Sequence, residues 1–241
     1  MKEPHLSVII PAYNEEGYIG NTLESVKRAI GAYGNAGGVE VIVVDNNSTD
    51  GTAAVATGYG ARVVFEGENM IAKARNAGAR ASRGEYLVFL DADTTIDSSL
   101  LRRVDGLLES GAVIGGGVFI DYDAHWDLRV LARLMNYLCF VFRKQWGAFL
   151  FCERAAFERA GGFDKTMYGL EDVALAKLLR ADGKLSGKRF VVISDCRVVT
   201  SARRVAPRWK MLRTRLPMMW GLKRKVRDPV RCRPIWYDVD R

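Results

Sequence analysis

Cysteine and histidine are scarce in this 241-residue chain, and neither is arranged as a site. The four cysteines (Cys139, Cys152, Cys196, Cys232) form no C-x-x-C pair, and only His5 and His125 could complete a metal centre. That excludes a zinc ribbon, a redox dithiol and a disulfide framework, and reads as buried reduced thiols in a reducing compartment. Long apolar runs are also missing. The most apolar window, Leu134 to Phe142, contains Asn136 and falls far short of the roughly 20 residues that span a bilayer. Met1 to Ile10 lacks a cationic stretch ahead of a long apolar one, so no signal peptide is expected. The glycines at 115 to 117 are followed by Ile120 rather than a sixth-position glycine, so the dinucleotide fingerprint is absent.

The chain carries a net charge of +8, yet most of it lacks positive excess. Residues 203 to 233 hold twelve Lys or Arg against one acid, Asp228, a net of +11, which leaves the rest at −3. The division suggests a body of residues 1–202 and a basic segment of residues 203–241.

Short apolar runs alternate with amphipathic segments through the body. Leu6 to Ile10, Val39 to Val44, Arg62 to Phe65 and Tyr86 to Leu90 read as strands. Between them lie a helix capped by Asn14, with Ile19, Leu23, Val26 and Ile30 on one face, a short helix capped by Asp50, and a small-residue helix from Ile71 to Ala81. This order implies an α/β fold with a mostly parallel sheet covered on both faces. Further on, helices are expected over Leu100 to Glu109, Glu153 to Ala160 and Glu171 to Arg180, the last stopping at Asp182-Gly183. A helical apolar stripe is expected over Leu128 to Phe142, and strands over Val113 to Ile120, Phe190 to Ile193 and Cys196 to Val199.

Ligands of open parallel sheets bind beyond the strands' carboxyl ends, where three polar clusters stand: Pro11 to Glu16, Asp45 to Thr52 and Asp91-Ala92-Asp93. In extended backbone, residues i and i+2 point the same way, so Asp91 and Asp93 could face one object. Two carboxylates without His or Cys suit a hard cation, Mg²⁺ or Mn²⁺.

The chain resembles a family 2 glycosyltransferase of the GT-A fold. The resemblance rests on Ser7 to Glu16, Val41 to Thr52, Ala74-Arg-Asn-Ala-Gly78, Gly84 to Asp93, Gly161-Gly-Phe-Asp164 and Glu171-Asp172. It implies a nucleotide-diphosphate sugar donor held by Pro11, Ala12, Tyr13, Glu15, Asp45, Asn47, Asp91 and Ala92, with Lys73 and Arg75 offsetting the diphosphate. It implies a divalent cation, Mn²⁺ or Mg²⁺, on Asp93 and Asp91. Asp172, beside Glu171, would be the base that deprotonates the acceptor hydroxyl in a single inverting displacement. Many relatives supply a later His to the metal; here the matching stretch is Val199-Thr-Ser-Ala-Arg-Arg204, where Arg203 or Arg204 could meet the diphosphate directly or Ser201 could reach it through water. The rival reading is a non-catalytic sugar-nucleotide binder on the same fold.

The basic segment interleaves cations with Trp209, Met211, Leu212, Met218, Met219 and Trp220, and Pro207, Pro217, Pro229 and Pro234 argue against one long helix. Such a segment fits an anionic membrane surface better than nucleic acid, which is not expected as a partner. The expectation is a cytoplasmic protein, peripheral at the inner face of a membrane through residues 203–233, with a lipid-linked or membrane-proximal acceptor.

Overall fold

Alternation along the strands builds the architecture. In a computed structural model of the chain, residues 3–34, 38–124 and 147–204 are described, with 130, 137, 227 and 228 besides. The strands are β1 (Leu6–Ala12), β2 (Val39–Asp45), β3 (Arg62–Phe65), β4 (Tyr86–Leu90), β5 (Thr94–Ile96), β6 (Val113–Asp123), β7 (Phe149–Glu153) and β8 (Arg189–Ser201). The helices are α1 (Glu16–Tyr33), α2 (Thr52–Gly58), α3 (Ile71–Ala81), α4 (Leu100–Glu109), α5 (Arg154–Arg159) and α6 (Glu171–Ser186). A 3₁₀ turn, Ala202–Arg204, follows β8.

The strands form a single sheet in the order β3-β2-β1-β4-β7-β6-β8-β5. Every β1 residue is buried. Leu6, Val8 and Ile10 enter the layer shared with Ile19, Leu23 and Val26 of α1 and Leu100 and Val104 of α4. Ile9 enters the opposite layer, with Ala72, Ala74 and Ala77 of α3 and Leu175 and Leu179 of α6. On β4, Tyr86, Val88 and Leu90 split from Leu87 and Phe89 in the same way. A strand covered on both faces reads as a continuous apolar run because each face of its two-residue period meets a core. At roughly 1.5–3 kcal/mol for each fully buried Leu, Ile or Phe, both layers anchor these central strands.

The half formed by β3, β2, β1 and β4 is parallel. Beyond it β7 runs antiparallel to both β4 and β6, β6 and β8 are parallel, and β5 is antiparallel to β8. The chain leaves β1 toward β2 on one side and returns to β4 on the other, so the switch point lies at the carboxyl ends of β1 and β4.

Several expectations are corrected. Asn14 does not cap α1; it sits at a left-handed φ of 52°, and Glu15 occupies the cap position. The last long helix does not stop at Asp182-Gly183. Gly183 is buried within α6, where a Cβ would come within 2.6 Å of the Lys188 carbonyl oxygen, so its lack of a side chain permits the following turn to close onto the helix. The two short strands after it are one, β8, whose register against β6 slips between Val118 and Phe119. The apolar stripe over 128–142 and nearly all of the basic segment lie outside the described residues. Cys152 and Cys196 are buried free thiols, as expected; Cys139 and Cys232 are outside the described residues.

Candidate active site

The loops after β1 and β2 hold each other by reciprocal backbone-to-side-chain bonds. Asn14 N donates to Ser48 Oγ (3.0 Å) and Thr49 N to Asn14 Oδ1 (2.8 Å). Glu15 N donates to Thr52 Oγ1 (2.8 Å), Glu16 N to Asp50 Oδ2 (3.1 Å) and Gly51 N to Glu16 Oε2 (2.9 Å). The amides at the start of α1 are thus satisfied from the neighbouring loop, whereas the first amide of α2, Thr52 N, is held locally by Asp50 Oδ1 (3.0 Å). Pro11 and Ala12 end β1, where Ala12 pairs with Asp45. Asp45 Oδ1 accepts from Ser48 N (2.9 Å), and Asn47 holds a left-handed φ of 67°. Asn46, which the sequence did not single out, is buried: it donates to the carbonyls of Glu66 and Glu68 and accepts from Met70 N, tying the loop to the start of α3.

The Asp91-Ala92-Asp93 element is a turn rather than extended backbone, since Thr94 N donates to Asp91 O (3.2 Å). Strand alternation therefore does not orient its two carboxylates. Thr22 Oγ1 of α1 holds the turn by donating to Ala92 O (2.7 Å), and Ser201 N does so through Asp93 O (3.1 Å). Each carboxylate then meets its own arginine. Asp91 Oδ1 accepts from Arg75 Nη2 (2.7 Å), and Asp93 Oδ2 accepts from Arg203 Nη2 (3.0 Å) and Nε (3.3 Å). Arg203 Nη2 also bonds both oxygens of buried Glu15, at 2.6 and 2.5 Å, and its guanidinium lies 4.2 Å from the Tyr18 ring centre.

Arg75 and Lys73 part company. Lys73 pairs with Glu68, whereas Arg75 is 3 % exposed and joins three segments. Besides Asp91, it donates to Glu171 Oε1 (2.6 Å) and to Gly147 O (3.3 Å), with the Phe163 ring at 5.2 Å. Its neighbours in the helix are equally committed. Asn76 donates to Phe163 O and accepts from Phe163 N, and Gly78 lets α3 settle on Ile9 and Val44.

Glu171 and Asp172 open α6 after Leu170, a non-glycine residue at a φ of 61°. Both acids are buried. Burial pushes the Glu171 carboxyl up to about 7, with Arg75 opposing and the neighbouring acids adding to the rise. Asp172 is raised for the same first reason, and is opposed by Arg75 and by the N–H groups of Val173 and Gly147. A Cβ on Gly147 would lie 3.2 Å from Asp172 Oδ2, so the glycine leaves the carboxylate its space.

The oxygen-only donors Asp91 and Asp93 fit a hard divalent cation that takes its other ligands from phosphate and water. Among the described residues, the group of three potential ligands that stands together lies elsewhere, at His5, Asp105 and Glu109.

The mixed α/β sheet with helices on both faces and a carboxylate turn at its switch point is of the GT-A class of fold. The family model for glycosyl transferase family 2 matches residues 7–162, and the chain belongs to that family. It is 30 % identical over 228 residues to the validoxylamine A glucosyltransferase of Streptomyces hygroscopicus subsp. limoneus, covering 75 % of this chain and 49 % of the relative. An uncharacterized glycosyltransferase of Mycobacterium tuberculosis is 37 % identical over 107 residues, 44 % of this chain and 45 % of the relative. The chain thus spans less than half the length of either. Among solved structures, the mannosyltransferase PcManGT of Pyrobaculum calidifontis, in complex with GDP-Man and Mn²⁺, aligns with a TM-score of 0.67 at 22 % identity, covering 98 % of this chain and 69 % of that one. S. aureus TarS 1-349 in complex with UDP-GlcNAc aligns with a TM-score of 0.64 at 21 % identity, covering 81 % and 58 %. At these identities the likeness shows the fold.

Proposed function

We propose that the chain is an inverting glycosyltransferase that moves a sugar from a nucleotide-diphosphate sugar to an acceptor hydroxyl. The observation that carries this reading is Asp172: a buried carboxylate, raised in basicity, in the same Arg75-centred charge network as Asp91 of the carboxylate turn. The complexes of the two solved relatives, one with GDP-Man and Mn²⁺ and one with UDP-GlcNAc, support a nucleotide-sugar donor.

Pro11, Ala12, Tyr13, Asp45 and Asn47 line the nucleoside end of the site, and Tyr13 offers a stacking face. Asp93, with Asp91, would hold Mn²⁺ or Mg²⁺, which when bound supplies positive charge against the leaving diphosphate. Asp172 takes the proton from the acceptor hydroxyl as that oxygen bonds to the anomeric carbon. The bond from that carbon to the diphosphate oxygen breaks, and its electron pair departs with the nucleotide. One base and one displacement invert the anomeric centre. Residues 203–233 place the enzyme against the inner face of a membrane, where the acceptor is lipid-linked or membrane-proximal.

Asp172→Asn tests the base. The variant is expected to melt within a few degrees of wild type, to bind donor as wild type does, and to lose transfer by at least about 10²-fold. Wild-type turnover in a folded, donor-binding variant would leave Asp172 without its role and favour a plain sugar-nucleotide binder.

A further inference from the structure

The carboxylate turn already holds a cation of its own. Asp93 and Glu15 are nearly inaccessible, at 5 % and 3 % side-chain exposure, and between them stands Arg203, itself 12 % exposed. Its Nη2 and Nε atoms bond Asp93 Oδ2, an oxygen that a divalent cation would use, while Nη2 also reaches both Glu15 oxygens. Without a positive group there, two buried carboxylates would face each other uncompensated, a costly arrangement. The guanidinium is delivered by the fold rather than by a loose side chain. β5 pairs with β8 through Thr94 and Thr200, Ser201 N bonds Asp93 O, and Arg203 N bonds Ser201 Oγ. The Tyr18 ring, whose centre lies 4.2 Å from the guanidinium carbon, covers it. One donor is left over: Arg203 Nη1 is buried and has no hydrogen-bond partner among the described residues. A buried guanidinium nitrogen without an acceptor is costly by itself and suits an arriving phosphate oxygen, which arginine binds well.

The geometry points to Arg203 as a built-in counter-cation that makes divalent-metal uptake at Asp93 conditional on the donor's diphosphate. This rests on the donor site proposed above and specifies how that site is gated. A bare divalent cation must compete with Arg203 for Asp93 Oδ2 and gives the displaced guanidinium nothing to bind. A cation arriving with a nucleoside diphosphate brings phosphate oxygens that Arg203 can take in exchange. Arg203 is thus a positioning residue with a binding role, and the same exchange adds a positive charge beside the leaving group.

Binding measurements on the full chain test this without turnover. Mn²⁺ is titrated alone, with free Mn²⁺ read by electron paramagnetic resonance, and UDP, GDP and dTDP are titrated calorimetrically with and without Mn²⁺. For Arg203→Gln the expected result is Mn²⁺ binding in the absence of nucleotide at least about tenfold tighter than wild type. The nucleotide that binds wild type should at the same time bind more weakly, so that the mutual enhancement of metal and nucleotide shrinks. Damage to the fold would weaken both, so a gain in bare-metal affinity separates gating from damage. Arg203→Lys, which keeps the charge but not the fork of donors, should fall between the two and provides a second variant if the glutamine form does not fold. Bare Mn²⁺ affinity unchanged or reduced in folded variants, with metal–nucleotide binding intact, would overturn the gate alone. Absence of Mn²⁺ and nucleotide binding in wild type would overturn the donor-site reading and the gate with it.

Discussion

At the scale of single residues, Arg75 divides its charge between Asp91 and Glu171, and two acids beside it remain buried with raised affinity for protons. For Glu171 the folded carboxyl, pushed up to about 7 chiefly by burial, lies above its ordinary value of 4.5. Between those values the folded protein holds a proton that the unfolded chain has released. The contribution to stability is therefore fully present below about pH 4.5 and is lost as the pH rises through 7, at most roughly 3 kcal/mol. Asp172 acts in the same direction. Wild-type melting temperature, with no metal or donor added, should carry a falling component between pH 5 and 7.5. Glu171→Gln should shallow that slope relative to wild type, and the double change with Asp172→Asn should shallow it further; parallel slopes in all three proteins would refute the assignment. The roles of these residues were only partly legible in the sequence. The acids and the carboxylate turn stood out by type and position, whereas Arg75 and Lys73 looked alike, because two positions two apart on a helix of small residues do not declare which side is buried.

At the scale of elements, α3 determines how closely the site's two halves approach. Its alanines pack on β1 and β2, and at Gly78 a Cβ would sit 2.3 Å from Ile9 Cγ2 and 2.9 Å from Val44 Cγ2. Neither neighbour is a flexible tip, so added volume must push the helix away from the sheet. The same helix carries Arg75 to Asp91 and Glu171, and Asn76 to the backbone of Phe163. Gly78→Val should destabilise the fold by about 1–3 kcal/mol by overpacking, read as a lower midpoint in urea. It should also weaken donor binding, although Gly78 touches none of the proposed ligand positions. A midpoint unchanged from wild type would mean that α3 is not seated as described. Strands covered on both faces announced themselves as apolar runs; β3, β4 and α3 match their expected bounds, while β1 and β2 run on by two residues and one, into Pro11-Ala12 and Asp45. β5 was not legible, because three residues carry no period and its pairing is with β8, about a hundred residues away. Nor was β7, four apolar residues and Glu153 with no alternation to distinguish it. The passage of α6 through Gly183 depends on the Lys188 carbonyl packing against it, a tertiary contact that local turn chemistry does not reveal.

At the scale of the whole molecule, the positive charge is concentrated in residues 203–233, a net of +11 against −3 for the rest. Arg203, first of the twelve basic residues, belongs to the site, where it neutralises Glu15 and Asp93. Further along, Arg227 Nη2 meets Asp164 Oδ2 at 2.9 Å, two residues after Gly162, which packs against Asn76 of α3. An exposed pair of this kind contributes little to stability, about 0–1 kcal/mol, so it does not account for the remaining positive charge. Against an anionic membrane, by contrast, each Lys or Arg near the surface is worth about 1 kcal/mol, and several acting together with Trp209 and Trp220 would give the binding proposed above. Among the described residues no helix is long and apolar enough to cross a membrane, so attachment of this kind would be peripheral and weakened by salt. The full chain should therefore cosediment with phosphatidylglycerol-containing vesicles, less so as salt is raised, and scarcely with phosphatidylcholine alone. A chain ending at residue 206 keeps Arg203 and should lose that binding while retaining its circular dichroism spectrum and its affinity for donor. If the basic segment instead packs on the body through contacts like Arg227–Asp164, the shortened chain will melt earlier and vesicle binding will be the same with or without the segment.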